Sequence, residues 1–275
     1  MKSALLERQC KRFNDALNLV EKGISKYPRF EKLYMMGGQI CAEDLDRGKH
    51  NLNRARKFYQ RGLQNCPNNI MLWILLCRLE QKTTVNGKKS IGFTKARSLL
   101  ELARLKNPKN PELWIEAIKL ERKASNEKLA VTLMARALQE CPLSGLLLAE
   151  NISTAPRVEQ KSKSADAIKK CPDDPHVIAA VASLFASERK QQKARKWFER
   201  TLVLNPDLGD SWAKYFAFEN ELGTNETLKK VKERCVNAEP KHGEVWCQVA
   251  KDMENRQKSV AEILELVSQK FLTLN

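Results

Sequence analysis

A chain of 275 residues that is 42% hydrophobic and 30% charged holds enough apolar side chains for a continuous core. Its ten prolines and eleven glycines are too few for a disordered segment. The formal net charge of +16 directs attention to acidic proteins or nucleic acid, although charge alone carries no sequence readout.

Taken in chain order, helical segments are punctuated by proline. Seven of the ten prolines, Pro28, Pro67, Pro108, Pro142, Pro172, Pro206 and Pro240, share one register with spacings of 39, 41, 34, 30, 34 and 34. A period near 34 marks tetratricopeptide-like arrays. Proline lacks a backbone donor and restricts the residue before it, so it ends the second helix of each pair. Helix pairs are predicted at 3–26, 31–65, 70–106, 111–140, 145–170, 175–204 and 209–238. A final helix follows at 243–256. An amphipathic capping helix at 258–273 carries Val260, Ile263, Leu264, Val267 and Phe271 on one stripe. The fold class is all-α: a single right-handed α-α superhelix, or solenoid, over residues 1–275.

Other positions repeat with the prolines. Six residues past each one stand Tyr34, Trp73, Trp114, Leu148, Ile178, Trp212 and Trp246. Twelve and five residues before it stand mostly small side chains, such as Ala16 with Gly23, Ala96 with Ala103, and Ala130 with Ala137. Small residues two turns apart let helix axes approach, and the bulky residue fills the space beside them. Asn69, Asn110, Ser144 and Asp174 are expected N-caps, with Pro111 and Pro175 at first helical positions. Two inter-helix loops are expected to be long, Asp46 to Asn53 and Thr83 to Thr94. The short repeat at 143–172, with Ala155-Pro156-Arg157 at its turn, is expected to be irregular.

Chemistry-bearing constellations are missing from the pattern. His50, His176 and His242 lie far apart, and no HExxH, GxSxG, P-loop or GxGxxG occurs. The eight cysteines form no C-x-x-C pair, and Cys66, Cys141 and Cys171 directly precede prolines, as small buried hydrophobes of the repeat would. The expectation is no enzyme, no metal and no cofactor. Ile70 to Cys77, the longest apolar run, is too short to span a bilayer. Glu7, Arg8, Lys11 and Arg12 interrupt the N-terminal apolar residues, so no secretory segment is expected. A reducing compartment, cytosol or nucleus, follows.

In tetratricopeptide geometry the first helices line a concave face. Positions 11, 14 and 15 past the proline give Arg78, Gln81, Lys82, Lys119, Arg122 and Lys123, a basic stretch. Toward the other end they give Asn220, Glu221 and Lys251, with Glu254 and Asn255, a mixed stretch. The basic stretch is the candidate receiver of an acidic protein segment or an RNA backbone, the alternative being an ordinary solvated helix face. Glu80, Glu121 and Glu219 recur thirteen residues past a proline, and Arg56, Arg97 and Arg195 recur eleven before one. Their shared register predicts a repeated polar contact inside the solenoid rather than a site.

Those Glu positions, with the Ala-Arg starts Ala55-Arg56, Ala96-Arg97 and Ala194-Arg195, resemble the half-a-TPR (HAT) repeat of RNA-processing proteins. The stretches at 133–142, 164–177, 187–201 and 238–252 are similar to the C-terminal HAT-repeat region of the pre-mRNA-processing factor six family of splicing factors. The resemblance covers the chain from about residue 50 onward. It implies a nuclear, non-catalytic scaffold that bridges small nuclear ribonucleoproteins (snRNPs) in tri-snRNP assembly, with snRNP proteins as partners and no membrane or small-molecule substrate. Family members are longer, so the chain is expected to be part of, or a shortened form of, such a protein. HAT scaffolds of polyadenylation or ribosome assembly, and nonspecific contact with RNA phosphates, stay open as alternatives.

Overall fold

The computed structural model describes residues 1–43, 48–82 and 90–274. The chain forms two compact units, Met1–Pro142 and Leu143–Asn275. The described residues of the first unit hold four helix pairs: α1 (Lys2–Gln9) with α2 (Phe13–Lys26), α3 (Glu31–Glu43) with α4 (Gly48–Asn65), α5 (Ile70–Lys82) with α6 (Ser90–Lys106), and α7 (Pro111–Lys123) with α8 (Glu127–Glu140). The second holds α9 (Gly145–Thr154) with α10 (Arg157–Lys170), α11 (Pro175–Ser187) with α12 (Gln191–Leu204), α13 (Gly209–Leu222) with α14 (Asn225–Ala238), and α15 (Glu244–Ala250) with α16 (Val260–Leu274). Within each unit, the second helix of a pair packs on its own first helix and, except for α14, which packs on α16, on the element that follows.

The repeat register explains this packing. Ala16, Ala55, Ala96, Ala103, Ala137 and Ala194 are fully buried, where larger side chains would hold the helices apart. At Gly62 an added Cβ would stand 2.8 Å from the Tyr34 side chain. Six residues past the proline, Tyr34, Trp73 and Trp212 are buried, and each donates back to the proline's own carbonyl: Tyr34 Oη to Pro28 at 2.8 Å, Trp73 Nε1 to Pro67 at 2.8 Å, Trp212 Nε1 to Pro206 at 2.7 Å. The bulky residue thus fills the core and satisfies a carbonyl that the turn leaves open. Trp114 differs: it is only half-buried, with the Arg104 guanidinium carbon 4.3 Å from its ring centre.

Caps fall where the polar residues stand. Asn69, Asn110, Ser144 and Asp174 accept from Leu72, Leu113, Leu147, and both His176 and Val177 backbone N–H groups. Pro240 has no such residue two positions on. There Asp210 of α13 reaches over and accepts from Glu244, Val245 and Trp246 N–H, capping α15 from its neighbour. Gly243 has φ +128, a left-handed conformation suited to glycine. Gly209 N–H donates to His242 O at 2.8 Å, closing an isolated parallel bridge between Leu208 and His242.

Three boundaries depart from the sequence expectation. Gly48–Asn53 and Ser90–Thr94 are helical parts of α4 and α6, not loop. Asn51 is buried, while Leu52 and Phe93 pack on the core of the first unit, so side-chain burial extends both helices backward. The remaining loop positions, 46–47 and 83–89, lie outside the described residues. The helix expected at 243–256 ends at Ala250 and is followed by a 3-10 turn, Met253–Asn255. Asp252 is extended and accepts from Glu254 N–H, acting as an N-cap in mid-segment. Within the short repeat, α9 has 10 residues and stops where Ala155-Pro156 bars another turn. The helix expected at 258–273 is α16, opened by Ser259 and Glu262 as a capping box. Its Ile263, Leu264 and Val267 are buried, while Val260 and Phe271 lie partly buried against the same core.

Candidate partner-binding surface

A repeated ion pair stitches three second helices, α4, α6 and α12, to the first helix that follows. Arg97 of α6 donates Nε to Glu121 Oε1 at 2.6 Å and Nη2 to Oε2 at 2.9 Å across to α7. Arg195 of α12 does the same to Glu219 of α13 at 2.7 and 3.1 Å. Arg56 of α4 chelates Glu80 of α5, with the Nη2 contact at 3.0 Å. The three acids are buried and the arginines partly exposed. The next turn adds a third donor to two of them, Asn126 Nδ2 to Glu121 at 3.0 Å and Thr227 Oγ1 to Glu219 at 2.7 Å. Arg97 holds the Glu121 carboxyl below the usual carboxylate range, against the burial that would raise it. These residues are structural, as their common register predicts.

The cysteines before prolines have a partner as well. Cys66, Cys141 and Cys171 are half-buried, and each thiol donates to the carbonyl one residue past the preceding register proline. Those acceptors are Arg29 O at 3.3 Å, Lys109 O at 3.2 Å and Leu143 O at 3.4 Å. They are polar links between repeats rather than fully buried hydrophobes. Burial raises all three thiol pKa values. Among the described residues no group of His, Cys, Asp and Glu is arranged to hold a metal ion, and no helix is long and apolar enough to cross a membrane.

The candidate binding residues separate into those tied up and those exposed. Arg78 is turned to a neighbour: its Nε and Nη2 contact the buried Glu116 of α7 at 3.0 and 2.7 Å. Glu116 lies eight residues past its proline, a position where only Glu150 repeats the acid, so the register singled out no contact there. Gln81 Nε2 donates to Cys77 Sγ at 3.4 Å. Arg122 lies 3.8 Å from Glu127. Lys82 and Lys123 are exposed, and Lys119, one turn before Lys123 on α7, is half-buried. The α5–α7 face therefore offers lysines at its rim and an internal Arg–Glu contact at its centre. In the second unit Asn220 and Glu221 are exposed at the end of α13, and Lys251 is exposed just past α15.

Comparison with known proteins supplies the family. No protein-family model matches the chain. Pre-mRNA-splicing factor prp1 of Schizosaccharomyces pombe is 38% identical over 247 residues, 90% of this chain and 26% of that protein. The chain is homologous to the pre-mRNA-processing factor 6 and prp1 splicing factors. Human pre-mRNA-processing factor 6 is 53% identical over 112 residues, 41% of this chain and 12% of that protein. The chain thus spans about a quarter of the length of prp1. A tetratricopeptide repeat protein from Parabacteroides merdae superimposes with a TM-score of 0.47 at 15% identity, over 97% of this chain and 96% of that one. The bidentate Arg–Glu pairs and the proline–aromatic contacts are internal packing.

Proposed function

We propose that the chain is a non-catalytic scaffold segment in pre-mRNA splicing, acting in the nucleus by holding snRNP proteins together during tri-snRNP assembly. The homology to prp1 over 90% of the chain carries this reading. A scaffold also suits a molecule whose recurring polar groups are consumed in holding helices to one another, as Arg97 and Arg195 are. The basic rim of α5 and α7, with Lys82, Lys119 and Lys123, is the proposed docking face for an acidic protein segment. Rim charges act chiefly on encounter rate and choice of partner.

The test is a pull-down of the chain from nuclear extract with identification of the bound proteins. Native chain should recover tri-snRNP proteins. The triple variant K82E/K119E/K123E, matched for thermal stability, should recover several-fold less and lose the salt sensitivity of the native complex. Unchanged recovery would reject the assigned face. Recovery of polyadenylation or ribosome-assembly factors in place of tri-snRNP proteins would reject the splicing assignment.

A further inference from the structure

Trp197 is the one tryptophan outside the proline register. It lies in the middle of α12, half-buried, beside Phe185 of α11, with ring centroids 6.2 Å apart and a 38° tilt. Cations crowd this aromatic pair. The Lys190 and Lys193 ammonium groups lie 5.8 and 5.9 Å from the Phe185 ring centre, and the Arg200 guanidinium carbon lies 5.6 Å from that of Trp197. Lys193, Lys196, Trp197 and Arg200 follow i, i+3, i+4, i+7, one stripe of the helix. The three cations of that stripe are exposed. Two acids stand nearby. Glu188 pairs with Lys190 at 2.6 Å and Lys161 at 3.2 Å, and Asp173 pairs with Arg200 at 2.9 Å. Lys193 and Lys196 have no carboxylate partner among the described residues.

We propose that this face binds single-stranded RNA, with a base stacked on Trp197 and successive backbone phosphates on Lys193, Lys196 and Arg200. An acidic peptide would use the cations and gain little from an accessible ring. A single strand uses both, because every base has a π-face and every nucleotide a charge. Cations one turn apart lie about 5.4 Å apart along a helix, a spacing that a strand with one charge per nucleotide can follow. Arg200 is exposed and sits over the ring, so that side of Trp197 is reached from solvent. A base can take its place while the guanidinium turns to a phosphate, a geometry it suits. The choice of RNA over DNA rests on the splicing role proposed above. The aromatic–cation surface does not.

The experiment titrates the whole chain against a labelled twelve-nucleotide uridine RNA and reads fluorescence anisotropy across a salt series. Binding should weaken linearly in log–log form. The K193E/K196E variant should lower that slope by about 1.4, about 0.7 for each lost phosphate contact. Trp197→Leu keeps an apolar side chain against the core and should weaken binding at least about fivefold, the low end of one stacking contribution. Should Trp197→Leu disturb the fold, tryptophan fluorescence decides instead. RNA should quench the native chain, and Trp197→Phe should abolish that quenching. Equal affinity in the native chain and both variants overturns the site. Displacement of the RNA by a polyglutamate peptide at equal charge concentration overturns the stacking argument. Tighter binding to the matching DNA overturns the choice of RNA. The K193E/K196E variant should still recover snRNP proteins through the α5–α7 face, so failure of the RNA arm and failure of the scaffold reading give different results.

Discussion

Removing Arg97 tests the stitched-helix architecture most directly. Glu121 is buried and accepts three hydrogen bonds, two of them from Arg97. Arg97→Met keeps most of the aliphatic stem and leaves that carboxylate with Asn126 alone. Breaking a fully buried pair by deleting one partner costs about 3–5 kcal/mol. The Arg97 side chain is 33% exposed, so water reaches the gap, and an expected cost of about 2–3 kcal/mol follows from screening. The double variant R97M/E121M removes both charges and should be more stable than R97M, because no desolvated charge is left unpaired. Urea unfolding followed by far-UV circular dichroism reads each variant. Acidity supplies a second readout. The folded Glu121 pKa is depressed by Arg97, so the native chain holds this contribution above the unfolded carboxyl pKa and loses it as pH falls through the folded one. In R97M the orphaned carboxylate takes a proton on acidification, and the penalty relative to native should shrink between neutral pH and about pH 4. An R97M chain within about 0.5 kcal/mol of native at pH 7 would refute the reasoning, since typical surface substitutions cost no more.

Two further outcomes follow from burial. Trp212→Ala removes a buried ring and its bond to Pro206 O and should cost about 3–5 kcal/mol, whereas Trp114→Ala, half-buried under Arg104, should cost roughly half as much; equal losses in thermal melts would contradict the placement of Trp114. Cys77 and Cys235 are buried with thiols pushed up to about 12, and Cys10 is exposed, so timed alkylation at pH 8 with peptide mapping should label Cys10 first and the buried pair last. Early labelling of Cys235 would show that the α14 packing opens readily.

Much of this molecule was legible in its sequence because its signals are local and repeated. Proline fixes where a helix stops, an Asn or Asp two residues later fixes where the next begins, and alanines two turns apart mark the face that must lie close to a neighbour. Recurrence of Glu121 and Arg97 in register with Glu219 and Arg195 even announced their polar contact, since a contact made in several repeats is written in several repeats. Features made once were invisible. Glu116 neutralises Arg78, Asp210 caps α15 from the neighbouring helix, and Phe185 meets Trp197 across a turn, and none of these contacts is made again in another repeat's register. The same limit applies to the binding face. Sequence placed Arg78 and Lys82 together as cations, but tertiary packing turned Arg78 to Glu116 and left Lys82 exposed. Spacing along the chain determines helix, register and buried stripe, because these depend on a few neighbouring residues. Which charges are spent inside and which remain for a partner depends on side chains brought together from distant positions, and only the folded units decide it.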